Sequence, residues 1–183
     1  DHGIQHTWLF HRLEEVKAQV EEGVANYHFN DAAQALYHFI WYEFCDWYLE
    51  LLKPELQGDD PERRNVAQYR LRLALEEILT LLHPFMPFVT QEIWSHLPGR
   101  EHDDLALRPY PDERPDCRNP EAVTAMTLIQ ESIVSVRNIR GELNIAPSLE
   151  LELLIRPADE VQAGVLEANR PLIARLARLK RME

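Results

Sequence analysis

Glycine is scarce in this chain, six residues in 183, and none of the six sits in a phosphate-cradling pattern. That excludes the common nucleotide loops. Cysteine is scarcer: Cys45 and Cys117 lie far apart with no metal-ligand spacing, which points to reduced thiols and a cytoplasmic protein. No apolar run approaches the roughly 20 residues needed to cross a bilayer. The opening DHGIQHTWLFHRL has no signal-peptide core, so no membrane partner is expected. Positive charge is also short. A formal net charge of −12 excludes nucleic-acid binding driven by a general basic field. The deficit is uneven, with twelve acids in residues 1–60 against Arg12, Lys17 and Lys53. At the other end Arg170, Arg175, Arg178, Lys180 and Arg181 fall within twelve residues, so any polyanion must be met by local patches.

Catalytic and metal constellations are missing too. Glu43, Asp46 and Glu50 share a helix face, but a di-metal bundle needs Glu-x-x-His pairs, and Glu92 with His96 has the wrong spacing. These carboxylates are expected to be solvated or ion-paired. His2, His6 and His11 lie near a start expected to fray, and no metal site is assigned to them. His83 before Pro84 reads as a helix-terminus residue, and Cys45 between Phe44 and Trp47 as an inert buried thiol. No Ser-His-Asp arrangement stands out, and no catalytic residue is assigned.

What is present is helical periodicity. Trp8, Leu9, Leu13, Val16, Val20, Val24 and Tyr27 step by three and four, an amphipathic helix over 5–27. Asn30 and Asp31 are natural N-caps, with Gln34 three after Asp31. The next helix is therefore expected from about 31 to the Lys53–Pro54 step. Asp60 as cap and Pro61 as first residue open a third helix along Val66, Tyr69, Leu73, Ile78, Leu81 and Leu82. A fourth fits 87–97, with Phe88, Ile93, Trp94 and Leu97 inward. Residues 98–118 are polar and proline-rich, with LALRPY expected as a short extended piece. Asn119–Pro120 caps a fifth helix striped by Val123, Met126, Ile129, Ile133 and Val136. At 149 the period changes to two: Leu149, Leu151, Leu153 and Ile155 alternate with glutamates, a strand signal whose partner is sought in 105–110. A last helical stretch is expected over about 158–180. Four or five helices with short loops make a bundle, followed from 147 to 183 by a small α/β piece of something longer.

One stretch stands out. WYEFCDWYLELLKPEL, 41–56, sets Trp41, Tyr42, Phe44, Trp47 and Tyr48 all round a helix of about 3.6 residues per turn. Most of these rings are expected in a core, with one aromatic face left over. The residues alone read as a helical binding module, whose surfaces are the aromatic face near Phe44 and the arginines of VRNIRGELN.

YHFIWYEFCDWYLELLKPEL (37–56), LLHPFMPFVTQEIWSHL (81–97) and VRNIRGELNIAPS (136–148) resemble the C-terminal part of valyl-tRNA synthetases, class I aminoacyl-tRNA synthetases. HPFMPF is shared with the isoleucyl and leucyl enzymes. The pair W-x-E-F-C-D-W-Y-L-E and V-R-N-I-R-G-E-x-N-I-A-P is far more specific and points to valine. The resemblance implies a mainly α fold: an anticodon-binding helical bundle over 1–146, then a small α/β subdomain leading to an arm. It implies a parent that attaches valine to tRNA with ATP and Mg, is monomeric, and binds valine isoacceptors but neither DNA nor membranes. The signatures His-Ile-Gly-His and Lys-Met-Ser-Lys-Ser are absent, so this polypeptide is expected to be non-catalytic and without a cofactor of its own. The resemblance further implies that an aromatic on the second helix, matched by Phe44, and a residue in the turn before it hold anticodon bases; on that basis Phe44 is expected to stack on a central anticodon base, Asn26 and Glu43 to offer polar contacts, and Arg137 and Arg140 to steady phosphates. Asn26 stands where a relative carries arginine, exchanging a guanidinium for a carboxamide. Two other readings are a helical protein-interaction module without an RNA role and the matching domain of an isoleucyl-type synthetase.

Overall fold

The computed structural model describes residues 3–146 and 148–183; Asp1, His2 and Pro147 lie outside the described residues. The fold is mainly α, with one small parallel sheet. The chain divides into two units, residues 1–119 and 120–183. The bundle-to-appendage change expected at 146/147 falls on Pro147, outside the described residues, whereas the two units divide between 119 and 120.

In the first unit α1 spans Ile4–Ala25 and buries Trp8, Leu9, Leu13, Val16 and Val20. From Ile4 onward the start does not fray as the sequence suggested, because Trp8 and Leu9 anchor its first turns in the core. The chain then reverses through Tyr27, which takes left-handed φ of 60° while the His28 amide bonds the Gly23 carbonyl at 2.7 Å. Gly23 is needed here, since a Cβ would stand 3.0 Å from the Ala32 Cβ. This turn starts α2 (Phe29–His38) with His28 as N-cap and no side-chain cap bond, so Asn30 and Asp31 do not cap it.

Residues 39–48 continue as a π-helical stretch, and α3 (Leu49–Gln57) follows without a break. Helix thus runs through Pro54, beyond the end expected at Lys53. Proline lacks the N–H and crowds the preceding turn. Tertiary contacts override it: Leu51 and Leu52 are fully buried, and Glu55 is held by Gln5 and by His6 Nε2 at 3.1 Å.

The cap at Asp60 is as the sequence suggests, its carboxylate accepting from the Glu62 and Arg63 amides at the start of α4 (Pro61–Leu82). On α4 the inward residues are Ala67, Ala74, Ile78, Leu79 and Leu81; Val66 and Tyr69 are exposed. In α5 (Pro87–Ser95) the inward face is Thr90 and Trp94, with Leu97 beyond, whereas Phe88 and Ile93 lie outside. Trp94 sets this phase by packing on Leu79 and Leu105, and the Thr90 hydroxyl donates to the Met86 carbonyl. LALRPY is not extended: Leu105–Leu107 is a 3₁₀ turn. Arg100 and Arg108 lie 5.1 and 5.6 Å from the Trp94 ring, strapping this loop down.

A buried charge cluster pins the second part of the loop. Lys17 Nζ reaches Glu14 at 2.5 Å, Glu77 at 3.4 Å and the Asp112 carbonyl at 2.8 Å, while Arg114 bonds Glu77 at 2.6 Å. Paired with opposite charges, Lys17 and Glu14 are tolerated this deep, while Glu77 Oε2 has no hydrogen-bond partner.

In the second unit α6 (Pro120–Glu142) turns Met126, Ile129, Ile133 and Val136 inward. Strand β1 (Leu151–Leu153) pairs in parallel with β2 (Leu179–Met182), Leu151 opposite Leu179 and Leu153 opposite Met182. The partner is thus not in 105–110. The crossover between the strands is α7 (Glu160–Ala168) and α8 (Arg170–Ala177), so the final helical stretch ends before 179.

Candidate nucleic-acid interface

The π-helical stretch decides which rings are available. Bonds of i→i+5 type change the angular step, so side chains five apart share a face. Phe39 and Phe44, five apart, are therefore both buried, as is Tyr48 four residues further on, and Phe44, 6% exposed, packs its ring 5.8 Å from that of Tyr48. Phe44 is thus no stacking platform in this conformation: its faces are covered by the core. Burial likewise pushes the Tyr48 hydroxyl well above its usual range, and His6 Nδ1 lies 2.9 Å from it.

The rings left outside form a ridge. Tyr37 and Trp41, 59% and 55% exposed, lie with planes 3° apart and centroids at 6.4 Å. His38 and Tyr42 pair beside them at 5.0 Å, and Tyr27 and Phe29 meet edge-on in the α1–α2 turn. These rings are exposed where Phe44 is not. The signal was available in the spacing of Tyr37 and Trp41, one helical turn apart.

Asn26 is exposed in that turn, where its carboxamide nitrogen donates to the Glu22 carbonyl at 3.0 Å and closes α1. Glu43 is not offered to a ligand. Arg12 grips it through Nε at 2.7 Å and Nη2 at 2.9 Å, and this bond chiefly raises the Arg12 pKa above its ordinary value. The polar contact expected of Glu43 is therefore made inside the protein. Between α1 and α2 lies a hollow of about 380 Å³ whose lining includes Gln19, Asp31, Gln34, His38 and Glu43, a set of donors and acceptors with little free positive charge.

Arg137 and Arg140 lie in the second unit. Arg140 is 9% exposed, and its guanidinium donates to the carbonyls of Leu149, Ala177 and Arg178 at 2.8, 3.3 and 2.7 Å. It closes the C-terminus of α8 and braces the sheet, so it is not a surface phosphate clamp. Arg137 is exposed and donates to the Leu176 carbonyl at 3.1 Å.

Other candidates resolve into structure. His11 accepts from the Asn119 amide at 2.6 Å and lies 3.3 Å from Glu15, so the buried His6 and His11 have separate partners. Glu50 pairs with Lys53, and Glu92 with His96. Cys45 is half-buried, and burial pushes its thiol up. Among the described residues no helix is long and apolar enough to cross a membrane.

The family model for the anticodon-binding domain of tRNA ligases matches residues 6–155. The chain is 52% identical over 177 residues to a valine–tRNA ligase of Nitratidesulfovibrio vulgaris, covering 97% of this chain and 20% of that protein. It is 43% identical to the valine–tRNA ligases of Geobacter sulfurreducens and Carboxydothermus hydrogenoformans, over 94% and 93% of its own length. The chain spans about a fifth of the length of these curated relatives.

Proposed function

Because the chain belongs to the anticodon-binding domain family of tRNA ligases, we propose that it reads the anticodon of valine tRNA for a ligase that joins valine to that tRNA using ATP. The catalysis, with its ATP and Mg, belongs to the parent enzyme, a monomer working in the cytoplasm. This stretch contributes recognition only.

The observation that carries the reading is the exposed, parallel pair Tyr37 and Trp41 on the helix that follows the Asn26 turn. Splayed bases are held by stacking on such rings and by hydrogen bonds to their edges, a mode that works without strong positive charge. That suits a unit with 22 acids against 11 bases. In this reading the central anticodon bases stack on the Tyr37–Trp41 ridge. Gln34 and Asn26 meet base edges.

The test is a titration of the chain with valine tRNA and with the same tRNA carrying an exchanged anticodon. Preference for the valine anticodon is expected. Equal affinity for both would remove the reading and favour a protein-interaction module.

A further inference from the structure

Helix α5 turns an apolar face to solvent that the function proposed above does not use. Phe88 is 91% exposed, and Met86, Val89 and Ile93 are exposed around it. Resting on the reading that this chain is one stretch of a longer ligase, we infer that the face docks against another folded domain of the same ligase.

The face is held rigidly. The Phe85 and Met86 amides both donate to the Leu82 carbonyl at 3.0 Å, closing the turn before α5. His83 Nδ1 lies 2.7 Å from the hydroxyl of the fully buried Thr90, and Trp94 packs on Leu79 and Leu105 one turn later. With Thr90 and Trp94 fixed inward, Val89 and Ile93, four apart, share an outer side, and Phe88 stands beside Val89. A preorganised face gives up little freedom on docking.

Composition selects the class of occupant. Residues 83–99 hold one carboxylate, Glu92, and no lysine or arginine, within a unit of 22 acids and 11 bases. Glu92 is already paired with His96 at 3.1 Å. Without a Lys or Arg, the face has little to offer RNA phosphates. Depletion of charge with Phe and Met at the surface is the make-up of a protein interface core.

Size then selects among proteins. A standard complex between independent chains draws on about 20–30 residues a side, and this face offers four large apolar ones. A domain of the same polypeptide needs less, because the linkage supplies a high effective concentration. The chain spans only about a fifth of its curated relatives, so a parent of that length has ample further sequence to form such a domain.

The experiment compares hydroxyl-radical oxidation of side chains, read by mass spectrometry, in the chain alone and in the full-length ligase that contains it, both without tRNA. Phe88 and Met86 are expected to oxidise readily in the chain alone. In the ligase they should oxidise several-fold more slowly, at any protein concentration, while Tyr27 and Phe29 stay reactive. Phe88→Asp/Val89→Asp should restore fast Met86 oxidation in the ligase and leave thermal unfolding of the chain alone nearly unchanged, since both side chains are exposed. Equal oxidation in the two proteins overturns the inference, as does a Met86 rate that the double variant does not move. Protection already present in the chain alone overturns it by showing that the chain covers its own face. Protection that grows with concentration overturns it in favour of a second copy, and protection that needs added valine tRNA overturns it in favour of RNA. A loss of anticodon preference in the titration above defeats the proposed function and leaves the tRNA-free protection standing, so the two failures are distinct.

Discussion

Arg12 and Glu43 are joined by two parallel bonds, Nε to Oε2 at 2.7 Å and Nη2 to Oε1 at 2.9 Å, which tie α1 to the π-helical stretch. The Glu43 side chain is only 12% exposed, so this is a partly buried fork and not a surface ion pair. Glu43→Ala leaves the guanidinium short of its main partner. A loss of about 1–3 kcal/mol is expected in urea unfolding. Glu15→Ala, which removes the more exposed of the two acids on Arg12, should cost under about 1 kcal/mol.

The two aromatic classes should separate cleanly. Trp41→Ala is expected to weaken binding of the valine anticodon hairpin by about 1–3 kcal/mol, the worth of one base–ring stack, and to leave stability within about 0.5 kcal/mol. Phe44→Ala should instead cost about 3–5 kcal/mol of folding stability, because it opens a cavity in the core. Calorimetry of both variants with the hairpin and thermal unfolding without it provide the comparison. A Trp41→Ala protein with unchanged hairpin affinity would move the stacking site elsewhere.

Adjacent glutamates on α4 should give opposite pH responses. Burial holds the Glu77 carboxyl above the ordinary carboxylate range, despite Arg114 and Lys17. Its native form therefore binds protons more tightly than its unfolded form, and its contribution declines as pH rises from about 4.5 toward the raised value. For Glu76, burial raises the pKa, but hydrogen bonds from Arg100 and Arg72 outweigh it and the carboxyl lies below the usual range. Its contribution is complete above about 4.5 and is lost as pH falls through the lowered value. Comparing Glu76→Gln and Glu77→Gln with the parent by urea unfolding across about pH 3–7 should show these opposite slopes.

Arg140 should not accept lysine. One ammonium cannot span the carbonyls of Leu149, Ala177 and Arg178 as the guanidinium does. Arg140→Lys is expected to speed amide hydrogen exchange at Leu151 and Leu179, where the strands pair, and to leave the first unit unchanged. Unaltered exchange at both positions would mean the brace is dispensable.

The sequence by itself determined the helices, the Asp60–Pro61 start of α4, the α5 opening at Pro87, and the family. Each of these is a local signal: a cap acts within one turn, and an apolar stripe shows its period over a few turns. Even the alternation at 149–155 announced a strand. Tertiary structure decided the rest, because side-chain phase and partner choice depend on contacts far apart in the chain. An ideal 3.6-residue period cannot reveal that residues 39–48 close their bonds at i→i+5, which carries Phe44 into the core and leaves Tyr37 and Trp41 outside. Nor can it foresee that Trp94 turns Phe88 to solvent, that β1 finds its partner across two helices at β2, or that Arg140 is spent on three carbonyls. A residue's type sets what its side chain can bind; the fold sets whether anything can reach it.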